Sequence, residues 1–352
     1  MGIYIIILFV LSFFSFIRKE IKIKKLLILV LTLFLCFSYE MGSDWNSYYN
    51  IYKKVNISGL YTYGYEKGFY IYTYILKNVL NNFWIYYVGT KLLIIITFFK
   101  LFKYFLKKDN LLIIMLFYVQ IGIYLFIDCP LRNLIAIGLS NLALLKLLKK
   151  DQISYLVLTL IGVLFHKTIV ITFINYFIVN FFKIQKKKYI YGSIVILLIF
   201  FQQDLILKVI INVGDVIPVV RERLLSHYLN TERFQEQGIN IVYIEKLLLL
   251  LYGIKNKEKL EYQFKKLGVV ALHLSVVYFY LYHISRKIPI LFRFSLYYKI
   301  FPLILLVLLI KIMSKEKRII VKICYILYSL LMLVQMLKNA QEFLLPYKFI
   351  IG

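Results

Sequence analysis

Asp44, Glu66, Arg132, His166 and Arg293 stand at the edges of long apolar runs, apart from the lysine clusters that carry most of the chain's charge. Their types define a chemistry. A carboxylate or a neutral imidazole can take a proton from a hydroxyl, and an arginine fork can hold the oxygens of a diphosphate. Asp44 sits in Tyr39-Glu40-Met41-Gly42-Ser43-Asp44-Trp45-Asn46-Ser47-Tyr48-Tyr49, and Glu66 in Tyr65-Glu66-Lys67-Gly68-Phe69. Acids that accept hydroxyl hydrogen bonds beside flat rings such as Trp45 and Tyr48 suit a sugar. The same residues also suit a solvated loop with an interfacial aromatic belt. Asp128-Cys129-Pro130-Leu131-Arg132 opens an apolar run. Asp128 there reads as a helix cap, and Arg132 as either a snorkelling side chain or an anion ligand beside a helix N-terminus. His166 is either an interfacial histidine bonded to backbone or a neutral general base. Arg293, before another apolar run, is either snorkelling or a ligand.

These residues must be positioned by membrane helices. Of 352 residues, 62% are hydrophobic and 18% aromatic, more apolar surface than a soluble domain of this size can hide. The 44 Lys and Arg against 17 Asp and Glu give a net charge of +27. No basic amphipathic face or recognition module goes with that charge, which argues against nucleic acid and for membrane topology. Cys36, Cys129 and Cys324 show neither pairing nor metal spacing, and no other metal cluster is evident, so the expected reaction is metal-independent and needs no cofactor.

Twelve apolar runs recur, at about 2–17, 26–38, 83–99, 111–127, 132–147, 152–165, 168–182, 189–201, 241–253, 267–283, 297–312 and 319–337. In lipid each must be helical. The expected fold is therefore all-α, a single polytopic domain over 1–352 with about 12 transmembrane helices. Taking alternate connections as cytoplasmic gathers 25 of the 44 basic residues into short inner loops and leaves both termini outside. The stretch from Ile153 to Phe182 tests this map. As one helix it would put Lys183 and Lys186 on the opposite side from Lys149 and Lys150, so the chain must reverse at His166-Lys167. Thirty residues span roughly 45 Å, short of the about 60 Å that two full crossings need, which sinks His166 below the outer surface. Two longer outer segments remain: 39–82, with an interfacial or re-entrant helix from Phe69 to Leu80, and 202–240, with an amphipathic helix over Pro218 to Leu229. The candidate residues all fall on the outer side, while the inner loops hold little but lysine and no glycine-rich phosphate loop.

In this order the motifs resemble the Wzy/EpsG-type polymerases of bacterial surface polysaccharide. Gly42-Ser43-Asp44-Trp45 with Tyr48 and Tyr52 resembles G-x-D-[YW] and its following tyrosines, and Glu66-Lys67-Gly68-Phe69 resembles E-x-G-[FY]. Arg132-Asn133-Leu134-Ile135-Ala136 is similar to R-x-x-[IL]-A, and Phe165-His166-Lys167-Thr168 to a histidine-small pair at a hairpin tip. Arg223 to Tyr228, Arg293 to Tyr297 and Pro346-Tyr347 add to the likeness. Departures are Glu40 near where an arginine is usual and Lys167 where a small residue is usual.

The resemblance implies a GT-C-like fold in the bacterial cytoplasmic membrane. It implies transfer of a growing glycan from polyprenyl diphosphate to a sugar hydroxyl of the next lipid-linked repeat unit, on the outer face. Arg132 and Arg293 would hold the leaving diphosphate, and His166 or Asp44 would deprotonate the acceptor. Trp45, Tyr48, Glu66 and Arg223 would bind substrate. Partners would be polyprenyl-diphosphate-linked oligosaccharides and membrane lipid, with a chain-length regulator and a flippase as further candidates. An O-antigen-type ligase using the same donor, or a transporter that flips lipid-linked sugar, are the alternatives. A transporter predicts charges at the midplane and duplicated halves, and the chain shows neither.

Overall fold

Backbone groups in hydrocarbon have no partner but the chain itself, and the apolar runs become helices. The computed structural model describes residues 1–17, 21–57, 66–107, 110–181, 240–286 and 291–349. Arg223, the run at 189–201 and nearly all of the 202–240 segment lie outside the described residues.

The first helices are α1 (Gly2–Phe16), α2 (Ile21–Cys36), α3 (Trp45–Lys54), α4 (Lys67–Leu80) and α5 (Phe83–Leu106). Then α6 (Leu111–Phe117) runs on as a π-helix over Tyr118–Asp128, followed by α7 (Leu131–Leu148) and α8 (Gln152–Phe165). A 3-10 stretch over Lys167–Phe173 leads into α9 (Ile174–Asn180). The rest are α10 (Ile241–Lys255), α11 (Lys257–Phe264), α12 (Lys266–Ser285), α13 (Phe292–Ser295), α14 (Ile300–Ile312), α15 (Lys315–Asn339) and α16 (Gln341–Leu344). Among the described residues, five helical stretches are long and apolar enough to cross a membrane: Phe83–Leu106, Leu111–Asp128, Leu131–Leu148, Lys266–Ser285 and Lys315–Asn339. Among the described residues, Gly2–Phe16, Gln152–Phe165, Lys167–Asn180 and Ile300–Ile312 are apolar but shorter.

Local chemistry sets the helix starts. Asn82 Oδ1 accepts from the N–H groups of Trp84 and Ile85 to open α5, Asn110 from Leu112 to open α6, and Asp151 from Ser154 to open α8. The interior is formed by the Leu111–Asp128 helix, 89% buried, and by α14, where Ile300 to Ile310 are buried throughout. By contrast, α15 buries only Ser329, Leu333 and Leu337, which leaves it at the rim.

Different contacts close the two ends of the bundle. At one end Lys311 Nζ donates to the Leu106 carbonyl at 3.1 Å, Arg318 to the carbonyls of Lys311 and Met313, and Lys146 pairs with Asp151 at 3.0 Å. Charged donors there satisfy the last carbonyls of the helices. At the other end the Tyr39 N–H donates to the Lys348 carbonyl, the Gly42 N–H to the Phe343 carbonyl, and the Tyr4 hydroxyl to the Leu344 carbonyl. Both ends of the chain thus meet beside the Asp44 segment.

The reversal at His166-Lys167 is present. Gly162 leaves room for Ile169, and the Tyr155 hydroxyl donates to the Thr172 carbonyl at 2.8 Å, so the residues after His166 run back along α8. The helix expected from Phe69 to Leu80 is also present, as α4.

Candidate active site

The π-helix ends at Asp128, and Cys129, at φ 50°, turns the chain into α7. Gly42 packs directly on that end. Its φ is +94°, and a Cβ there would lie 2.4 Å from the Asp128 carbonyl oxygen, so glycine is required for both conformation and space. The approach lets Ser43 donate its N–H (2.7 Å) and its hydroxyl (2.8 Å) to Asp128 Oδ1. Here the sequence reading needs correction: Asp128 does not cap α7, whose N-cap position is taken by Pro130. Its carboxylate is committed across the chain to the Ser43 turn, which fixes the next residue, Asp44, half-buried at the start of α3.

Glu66 precedes α4, and Gly68 brings that helix against α8. A Cβ on Gly68 would stand 2.6 Å from Leu164 Cβ and 2.8 Å from the Leu164 carbonyl oxygen, two residues before His166. Across the site Arg132 Nη1 donates to Glu66 Oε2 at 2.6 Å, a charge-assisted bond between side chains 30% and 16% exposed. Glu66, expected as a sugar ligand, is therefore also the carboxylate that orients Arg132.

The Tyr48 hydroxyl accepts from the Arg132 backbone N–H at 3.4 Å. Trp45 and Tyr48, expected as sugar-contacting rings, are only 8% and 5% exposed. Trp45 stacks on Tyr49 and Trp84, and Tyr48 meets Phe69 edge-on. Both act here as packing beneath the loop.

At the hairpin tip His166 links α8 to the 3-10 stretch. Its Nδ1 accepts from the Thr168 N–H at 3.3 Å and lies 2.6 Å from Thr168 Oγ1, which is in turn 3.1 Å from the buried Tyr297 hydroxyl. A backbone N–H directed at Nδ1 favours the neutral tautomer with its hydrogen on Nε2. Arg293 is exposed on α13, four residues before Tyr297.

Electrostatics shows that these groups form one cluster. Burial and the neighbouring Asp128 hold the Asp44 carboxyl above the usual range, with Arg132 and Arg293 pulling the other way. Burial lowers His166 to about 4 against the attraction of Glu66, and Arg293 and Arg132 lower it further. Asp44, Glu66, Arg132, His166 and Arg293 come together from five separate stretches; Arg223 lies outside the described residues.

Sequence reasoning missed the bond of Asp128 to Ser43, the relay through Thr168 and Tyr297, and Tyr124, whose hydroxyl feels the charges of Asp128, Arg293 and Asp44. Thr168 had a local signal, since a side chain two residues before a helical N–H is a usual capping acceptor. Tyr297, 129 residues away, had none.

The arrangement offers two arginines for an anion, one carboxylate with a raised proton affinity and one neutral imidazole. A family model, the EpsG family, matches residues 21–349. The chain belongs to the EpsG family. EpsG membership carries with it a polysaccharide polymerase-type role at a membrane, in agreement with the apolar helices. No curated protein and no solved structure matches the chain.

Proposed function

We propose that this EpsG-family protein lengthens a glycan by moving it from polyprenyl diphosphate to a hydroxyl of the next lipid-linked repeat unit. The reaction occurs at the end of the bundle remote from the basic turns, on the outer face of the bacterial cytoplasmic membrane. The acceptor oxygen bonds to the anomeric carbon, the bond to diphosphate breaks, and the hydroxyl proton passes to Asp44. Arg132, held by Glu66, and Arg293 stabilise the charge that builds on the departing diphosphate, the main electrostatic demand of the step. Between the two candidate bases, Asp44 is favoured, because the Nδ1 of His166 is already engaged by Thr168. Arg223 is retained as a substrate ligand on the resemblance alone.

The observation that carries the proposal is the meeting of Asp44, Arg132, His166 and Arg293 in one cluster. Deletion of the protein, followed by gel analysis of the surface glycan, tests it. Collapse of the ladder to single repeat units attached to their normal acceptor supports polymerisation. Accumulation of unlinked polymer would instead indicate a ligase, and total loss of glycan a flippase.

A further inference from the structure

The chain from Tyr297 through Thr168 to His166 has one consistent hydrogen pattern. Thr168 presents its N–H to Nδ1 at 3.3 Å, which disfavours a hydrogen there. The Thr168 hydroxyl, 2.6 Å away, must therefore also donate to Nδ1. Having one hydrogen, it accepts from Tyr297, whose hydroxyl is 3.1 Å from it and whose side chain is 2% exposed. Every donor points toward His166, and the ring is left with a single free polar group, Nε2–H. The groups whose charges reach the imidazole are Glu66, Arg293 and Arg132. With the charges of two arginines reaching it, the ring can give a hydrogen bond to an anion that those cations gather.

We infer that Thr168 and Tyr297 are positioning residues that lock His166 in its Nε2–H tautomer, making it a hydrogen-bond donor to a diphosphate oxygen rather than a base. The inference rests on the proposed transfer reaction for the identity of the anion, though not for the tautomer. It assigns the histidine to the leaving-group side of the site and leaves proton abstraction to Asp44.

The test uses the full chain in detergent with ring-15N histidine. The four histidines are assigned by the signals lost in His166→Gln. Wild type and Thr168→Ser are expected to show His166 protonated on Nε2 alone, and Thr168→Val, which keeps only the long 3.3 Å bond from the N–H and loses the 2.6 Å bond to the hydroxyl, to show a measurable share protonated on Nδ1. Adding inorganic diphosphate should move the Nε2 signal in wild type. In glycan extension, Thr168→Val should lower kcat roughly 5- to 10-fold with little change in KM, as for one lost hydrogen bond, with Thr168→Ser restoring it and Tyr297→Phe losing less. A proton on Nδ1 of wild type, an Nε2 signal indifferent to diphosphate, or equal behaviour of the Val and Ser variants would overturn the inference. If wild type extends no glycan, the transfer proposal falls, while the spectra still decide the tautomer.

Discussion

Asp128 gives the sharpest separation between holding the site in place and tuning it. Its Oδ1 accepts two bonds from Ser43, at 2.7 and 2.8 Å, both to a charged acceptor. Hydrogen bonds to charged groups contribute about 1.5–3 kcal/mol when shielded. This pair faces solvent, so about 1 kcal/mol each is the better figure, or about 2 kcal/mol for Asp128→Ala and about 1 for Ser43→Ala. If the loop must be in place for Asp44 to act, those losses correspond to roughly 30-fold and 5-fold lower extension rates. Asp128 also raises the proton affinity of Asp44. Asp128→Asn keeps an acceptor oxygen for Ser43 but removes the charge, so it should retain more activity than Asp128→Ala while its acid limb moves to lower pH. The assay is extension of lipid-linked repeat units in vesicles, followed against pH. Full activity in Asp128→Ala together with an unmoved acid limb would refute this reasoning.

Other expectations concern the same cluster. Glu66→Gln and Arg132→Gln should be non-additive in a thermal-stability cycle by about 1–2 kcal/mol, since the half-buried pair is shared; additive losses would mean the bond contributes nothing. Gly68→Ala should destabilise by about 1–3 kcal/mol, because its Cβ meets Leu164 backbone that no rotamer change can move, and extension should fall with it. The pH profile should lack an inflection near 6.5, because His166 stays neutral down to about 4. Its acid limb should lie above the ordinary aspartate range of about 3.9: Asp44 is active as the carboxylate, and falling pH protonates it. An inflection near 6.5 in wild type that disappears in His166→Gln would contradict this.

Much of the architecture was readable because hydrophobic length and lysine placement are local or additive signals. The run from Leu111 to Asp128, the hairpin at His166 and the helix from Lys67 to Leu80 all follow from them. What could not be read is pairing at a distance. Glu66 and Arg132 each looked like a ligand, and nothing local says that they bond to each other. Asp128 beside Pro130 has the composition of a cap, but it ends the helical stretch of Tyr118–Asp128 and its carboxylate bonds to Ser43 instead. The burial of Trp45 and Tyr48 was not legible either, because aromatic composition does not distinguish a ring that faces a cleft from one that packs under it.

The central claim is that the cluster of Asp44, Arg132, His166 and Arg293 transfers glycan between lipid diphosphates. Purified protein in vesicles carrying polyprenyl-diphosphate-linked repeat units tests it most directly. Wild type should convert single units to a ladder of longer chains, and Asp44→Asn and Arg132→Ala, inserted at equal amounts, should leave single units. An unchanged ladder from both variants would contradict the account.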